Sequence, residues 1–223
     1  MPVRVKICGL TQLEDAVQAT DAGADFLGFI FYPPSKRAIR REAAQTIVAR
    51  LRALPHCPRL VGVFVDESAA TVAATLDQCA LDLAQLSGSE PPALVGDPSS
   101  PLYGRSYKAL RPTSQTEAEA DAEWFVAPAG GPESPSLLLD AYHPTLPGGT
   151  GRTVDWELAA GLAQQIPRLM LAGGLTPANV AQAVQQVHPF AVDVASGVEA
   201  EPGRKDPHLV RAFIQAAKSV TDQ

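Results

Sequence analysis

The sequence predicts a single (β/α)8 barrel, and three observations predict it. Eight short, nearly unbroken apolar runs alternate with helix-forming stretches along the chain, the pattern of parallel strands covered by helices. At 223 residues the chain has a length at which such a barrel forms one domain. The polar residues that interrupt the runs gather at their C-terminal ends, where barrels of this kind build their sites. The alternative is an open doubly wound sheet. The Gly-x-Gly-x-x-Gly turn of a dinucleotide-binding sheet does not follow the first strand, which counts against it.

The first strand is Val3-Arg4-Val5-Lys6-Ile7-Cys8. Alternation puts Val3, Val5 and Ile7 on one face and Arg4, Lys6 and Cys8 on the other. Gly9 ends it, and Thr11 with Glu14 has the spacing of a capping box for a helix over 13–22, closed by Gly23. Strands follow at 26–31, 60–65 and 81–86, with helices expected over 41–54 and 66–79. A fifth strand is expected at 106–110 and a short acidic helix at 115–122. The Pro-, Gly- and Ala-rich stretch 127–136 reads as a mobile surface insertion within one domain, because the strand–helix rhythm resumes behind it. Strands at 137–140, 168–172 and 190–194 and a closing helix over 207–220 complete the count.

Composition narrows the function classes. A net charge of −6 argues against nucleic-acid binding, and no apolar run is long enough to span a bilayer. A strand pattern beginning at Val3 leaves no room for a signal peptide. Cys8, Cys57 and Cys79 are odd in number and irregular in spacing. The histidines form no i, i+4 pair. Neither a disulfide framework nor a metal site is expected, and a reducing cytoplasm is.

The strand ends supply the candidate chemistry. Strand one ends in Cys8, strand two runs into Ser35-Lys36-Arg37, strand four ends in Gln85 and Ser87, and strand six ends in Asp140. A carboxyl on a run of three leucines suits a general acid, although a capping role is the plainer reading. Gly173-Gly174 after strand seven and Ser196-Gly197 after strand eight suit a phosphate cradle, with Thr176 and Pro177 opening a helix behind it. The plainer reading is that these glycines only make tight turns. Asp193 lies on strand eight, which a closed barrel places beside strand one. An inward Lys6–Asp193 pair would satisfy two charges that are costly to bury alone; direct contact of Lys6 and Asp193 with the substrate is the equal alternative. The Lys6 ammonium is expected to lower the Cys8 pKa.

These motifs resemble those of the phosphoribosylanthranilate isomerases. The resemblance is carried by Val5-Lys6-Ile7-Cys8-Gly9-Leu10-Thr11, Gly28-Phe29-Ile30-Phe31-Tyr32 with Ser35-Lys36-Arg37, Val61-Gly62-Val63-Phe64 and Leu138-Leu139-Asp140. It continues through Gly148-Gly149-Thr150-Gly151, Ala172-Gly173-Gly174-Leu175, Val192-Asp193-Val194-Ala195-Ser196-Gly197-Val198-Glu199 and Pro202-Gly203-x-Lys205-Asp206. The resemblance implies a cofactor-free Amadori rearrangement in tryptophan biosynthesis. It implies Asp140 as general acid, Cys8 as general base, Arg37 and Gln85 at the anthranilate part, and Gly173, Gly174, Ser196 and Gly197 at the phosphate. The expected partner is a small phosphosugar, and the chain is expected to act as a monomer or homodimer.

Two departures stand out. Ser87 occupies the place where the family usually has histidine, and Ala141-Tyr142-His143-Pro144 is a bulky lead into the Gly148–Gly151 loop, with His143 a weak candidate to replace the missing imidazole. The rival readings are another phosphosugar isomerase on the same barrel, for which a carboxylate is expected in place of Cys8, and a catalytically silent phosphate-binding barrel, hinted at only by Ser87.

Overall fold

The computed structural model describes residues 2–112, 114–140 and 156–220. Eight parallel strands close in sequence order: β1 (Arg4–Cys8), β2 (Phe26–Ile30), β3 (Arg59–Phe64), β4 (Leu83–Leu86), β5 (Ser106–Leu110), β6 (Leu137–Asp140), β7 (Leu169–Ala172) and β8 (Ala191–Val194). Closure comes from β1 pairing with β8, with Lys6 opposite Asp193. Around the barrel lie α1 (Leu13–Asp21), α2 (Arg41–Arg52), α3 (Ala69–Gln78), α4 (Ala93–Gly96), α5 (Gln115–Phe125), α6 (Trp156–Gln165), α7 (Val180–Val187) and α8 (Pro207–Lys218). After β8 a single 3-10 turn, Ser196–Val198, leads into a hairpin of β9 (Glu199–Glu201) and β10 (Arg204–Lys205). No helix among the described residues is long and apolar enough to cross a membrane.

Side chains alternate along each strand, so the register sorts them into two sets. Val5, Ile7, Leu27 and Leu60 lie on the outer face, where they are fully buried in the core under the helices. Cys8 lies opposite Gly28, Gln85 opposite Tyr107, and Asp140 opposite Ala172, all on the inner face with Lys6 and Asp193. The barrel interior is therefore polar on β1, β4, β5 and β8 while its outside is apolar.

Two expected caps are replaced, one by a distant contact and one by a local turn. Thr11 does not cap α1; its hydroxyl donates to the Gly203 carbonyl at 2.6 Å, and α1 begins after Gln12 with no side-chain cap. Thr176 and Pro177 form a turn ahead of α7 rather than its first residues. The Asn179 side chain accepts from the Thr176 N–H at 2.7 Å and donates to the Gly174 carbonyl at 3.1 Å.

The 127–136 stretch is held to the N-terminal end of the barrel. Arg168 donates to the carbonyls of Gly130 and Gly131 at 2.5 and 2.6 Å, Arg59 donates to Ser134 Oγ at 3.1 Å, and Glu133 pairs with Arg4. Its glycines leave the backbone open to these arginines, which the expectation of mobility overlooked. A cleft of about 380 Å3 opens at this end beside Arg4, Asp25, His56 and Glu133. Its acidic groups are already paired, Glu133 with Arg4 and Asp25 with Lys218.

Candidate active site

Cys8 sits at the C-terminal end of β1 against the open face of Gly28. A Cβ on Gly28 would lie 2.7 Å from Cys8 Sγ and 3.2 Å from Lys6 Cε, so this glycine makes the room the thiol and the lysine stem occupy. A glycine inside a strand was the available signal for that close approach. Below the thiol, Lys6 is fully buried and donates to Asp193 Oδ1 at 3.1 Å and Gln85 Oε1 at 2.7 Å. Tyr107, also fully buried, donates to the same Gln85 oxygen at 3.1 Å. With two donors on Oε1, the Gln85 amide presents its nitrogen to Ser87 Oγ, 3.2 Å away. Tyr107 is thus part of the polar interior, a role the sequence of its strand, Ser106–Leu110, does not signal.

Burial alone would pull Lys6 down, but Asp193, Cys8 and Tyr107 together raise it above the ordinary lysine value, so it stays charged. Lys6 does act on Cys8 in the expected direction, lowering its pKa, but burial outweighs it. Desolvation pushes the thiol above its ordinary value, and the Lys6 charge offsets this only in part. Cys8 is a buried thiol held near a cation, not an activated surface thiolate.

Arg37 reaches this thiol from the loop after β2. Gly9 has φ +75°, and a Cβ there would lie 2.7 Å from Arg37 Cδ, so the arginine stem lies flat on the residue following Cys8. Its Nε and Nη2 donate to the two oxygens of Glu199 at 2.7 Å each. Lys205 also donates to Glu199, at 2.9 Å, while its backbone N–H donates to buried Asp15 at 2.8 Å. Glu199 and Lys205 belong to the β9–β10 hairpin, which carries no hydrophobic period and is invisible to pattern reading.

Asp140 ends β6 on the inner face above Leu138, which is buried. Its carboxylate pairs with Arg111 Nε at 3.1 Å and is one-quarter exposed, so the apolar foundation lies beneath the carboxyl but does not enclose it. His143 and the Gly148–Gly151 loop lie outside the described residues. Gly173 and Gly174 both adopt positive φ, +98° and +61°. The loops after β7 and β8 touch where a Cβ on Gly197 would lie 2.0 Å from the Leu175 carbonyl oxygen, a contact only glycine permits. Ser196 and Gly197 are thereby brought beside Gly173-Gly174 at one edge of the mouth. Among the described residues no three His, Cys, Asp or Glu side chains gather as metal ligands would.

The loop carrying Ser87 is pinned by a buried ion pair. Glu90 meets Lys108 at 2.5 Å and accepts from the backbone N–H groups of Asp66 and Gly88 at 2.9 Å. Replacing Glu90 with alanine strands the Lys108 charge and two donors, and is expected to cost roughly 3–5 kcal/mol. Urea unfolding of wild type and Glu90→Ala measures this, and a loss under 1 kcal/mol would refute the pinning role.

Comparison with known proteins decides the family. The family model described as N-(5'phosphoribosyl)anthranilate (PRA) isomerase matches residues 5–216. The chain belongs to the phosphoribosylanthranilate isomerase family. It is 43% identical over 221 residues to the N-(5'-phosphoribosyl)anthranilate isomerase of Pelobacter propionicus, covering 99% of this chain and 98% of that protein. It is 47% identical over 217 residues to that of Citrifermentans bemidjiense, covering 97% and 98%. Among solved structures, the phosphoribosyl anthranilate isomerase of Thermotoga maritima superposes with a TM-score of 0.83 at 40% identity, covering 98% of this chain and all of that one. A phosphoribosyl anthranilate isomerase solved with reduced 1-(o-carboxyphenylamino)-1-deoxyribulose 5-phosphate gives 0.80 at 38%, with the same coverage. Within this isomerase family, the present chain sets Cys8, Lys6, Gln85 and Asp193 in one inward-facing group, with Arg37 over its rim and Asp140 on the same inner face.

Proposed function

We propose that this chain converts N-(5-phosphoribosyl)anthranilate into 1-(2-carboxyphenylamino)-1-deoxyribulose 5-phosphate, the Amadori step of tryptophan biosynthesis, and that Asp140 and Cys8 perform it in turn. The observation that carries the reading is that Cys8 and Asp140 both end strands on the inner face, with Arg37 laid over Gly9 beside the thiol.

Asp140 gives its proton to the furanose ring oxygen. The C1–O bond breaks as the anilino nitrogen lone pair forms the C=N bond of a Schiff base, and the ring opens. The iminium acidifies the C2 proton, which the Cys8 thiolate removes to give an enolamine. Tautomerisation of the enolamine then yields the ketone. Lys6 supplies a fixed positive charge beneath the thiolate as it forms, and Asp193 keeps that charge in place. Arg37 meets the anthranilate carboxylate, and Gln85 lines the same side. Gly173, Gly174, Ser196 and Gly197 receive the phosphate through backbone N–H groups. A thiol rather than a carboxylate at the end of β1 favours this reaction over other phosphosugar isomerisations on a barrel.

The enzyme is assigned to the cytoplasm and to a monomeric or homodimeric state, which sedimentation velocity resolves directly. The decisive assay for the function follows the loss of phosphoribosylanthranilate fluorescence on adding the purified chain. No turnover, with the phosphate part still bound, would instead support a silent phosphate-binding barrel.

A further inference from the structure

An arginine guanidinium offers two edges that grip a carboxylate as a fork, one made by Nε and Nη2 and the other by Nη1 and Nη2. Glu199 fills the first edge of Arg37, at 2.7 Å to each nitrogen. Among the described residues no partner takes Nη1. Glu199 is also shared with Lys205, so two cations face one carboxylate and the trio carries one net positive charge. Burial alone would raise the Glu199 carboxyl, but Arg37 and Lys205 hold it below the ordinary carboxylate value, so it is ionised at neutral pH.

The trio is fixed from several sides. Lys205 Nζ donates to the Ala195 carbonyl at 2.9 Å, its backbone is tied to Asp15, and Thr11 holds the hairpin at Gly203. Gly203 itself is packed so close that a Cβ would lie 3.3 Å from the Lys36 carbonyl oxygen, next to Arg37 in the chain. The hairpin therefore locks both the stem and the rotation of the guanidinium, leaving the Nη1 edge as a preset receptor for a second carboxylate.

We propose that Glu199, backed by Lys205, is a specificity-determining positioning residue. By occupying one edge of Arg37 it fixes the other, so that the enzyme selects an N-(2-carboxyaryl) phosphoribosylamine over the same compound without the ring carboxylate. The inference rests on Arg37 meeting that carboxylate. It opposes what charge alone would give: removing Glu199 makes the site more positive, and a site acting by net charge would then favour the carboxylate substrate more strongly.

The test compares kcat/KM for phosphoribosylanthranilate with that for its phosphoribosylaniline analogue, in wild type, Glu199→Gln, Glu199→Asp and Arg37→Lys. The ratio is expected to fall roughly tenfold or more in Glu199→Gln through higher KM for the carboxylate substrate. It should fall less in Glu199→Asp, which keeps the charge beside Lys205 but reaches one methylene less far. Arg37→Lys should collapse it as well. A ratio that is unchanged or higher in Glu199→Gln while Arg37→Lys collapses it would overturn the proposal. An unchanged ratio in Arg37→Lys would overturn the reading of Arg37 itself. If circular dichroism finds Glu199→Gln unfolded, Glu199→Asp decides, and a ratio within twofold of wild type overturns the proposal.

Discussion

Cys8→Ser is expected to lower kcat by on the order of a thousandfold while KM changes little. General-base catalysis contributes about 10²–10⁴, and a serine hydroxyl in the same place is far too weak an acid to supply its anion. The wild-type pH profile should carry the mark of the buried thiol. Burial raises the Cys8 pKa, with Lys6 opposing. Below that pKa the thiol is protonated and cannot accept the C2 proton, so the limb of kcat/KM set by the thiol should lie at higher pH than the range of an ordinary cysteine. Lys6→Met removes the charge that opposes burial and should move this limb to still higher pH. An unmoved limb would leave Lys6 with a structural role only, and normal turnover by Cys8→Ser would remove Cys8 from the chemistry.

Asp140→Asn is expected to cause a comparable loss, about 10²–10⁴ in kcat, because the N–H protons of an amide of the same shape are far too weakly acidic to be given to the ring oxygen. The two variants should differ in which bond limits the rate. With substrate deuterated at C2, Cys8→Ser is slowed at the step that breaks the C–H bond and should express a primary isotope effect. Asp140→Asn is slowed at ring opening, before that bond is touched, and should show a much smaller one. A large isotope effect in Asp140→Asn would contradict its placement at ring opening.

What could be read before the fold was known follows from where the information lies. The inward group on β1 was legible because strand alternation has a period of two, so Lys6 and Cys8 had to share a face. The place of Asp193 followed from closing the ring of strands. Tyr107 was hidden because an aromatic in a strand has no local signature of a hydrogen bond to a side chain on the neighbouring strand. Arg111 immediately follows β5, and only the register of β5 with β6 brings it to Asp140. The cap at Thr11 was misread because its hydroxyl has a distant partner in the Gly203 carbonyl, and that at Thr176 because the Asn179 side chain, three residues on, closes a local turn on the Thr176 N–H. Local propensity gives way where such a partner exists. The β9–β10 hairpin was missed as an element, although Glu199 and Pro202-Gly203-x-Lys205-Asp206 carried part of the resemblance, since it is short, polar and defined by ion pairs rather than by buried apolar period.

That hairpin also sets when the enzyme comes into being. Arg37 precedes Glu199 by 162 residues and Lys6 precedes Asp193 by 187. At roughly 5–20 residues per second, the ribosome makes the arginine about 8–30 seconds before its partner. Through that interval the nascent chain carries a strand end, a thiol and two cations with no counter-charge, and nothing yet assembled for a substrate to enter. Catalytic competence thus belongs to the finished polypeptide. Chains stalled on the ribosome before Glu199 should be inert, and activity should appear only once the hairpin and α8 have left the exit tunnel.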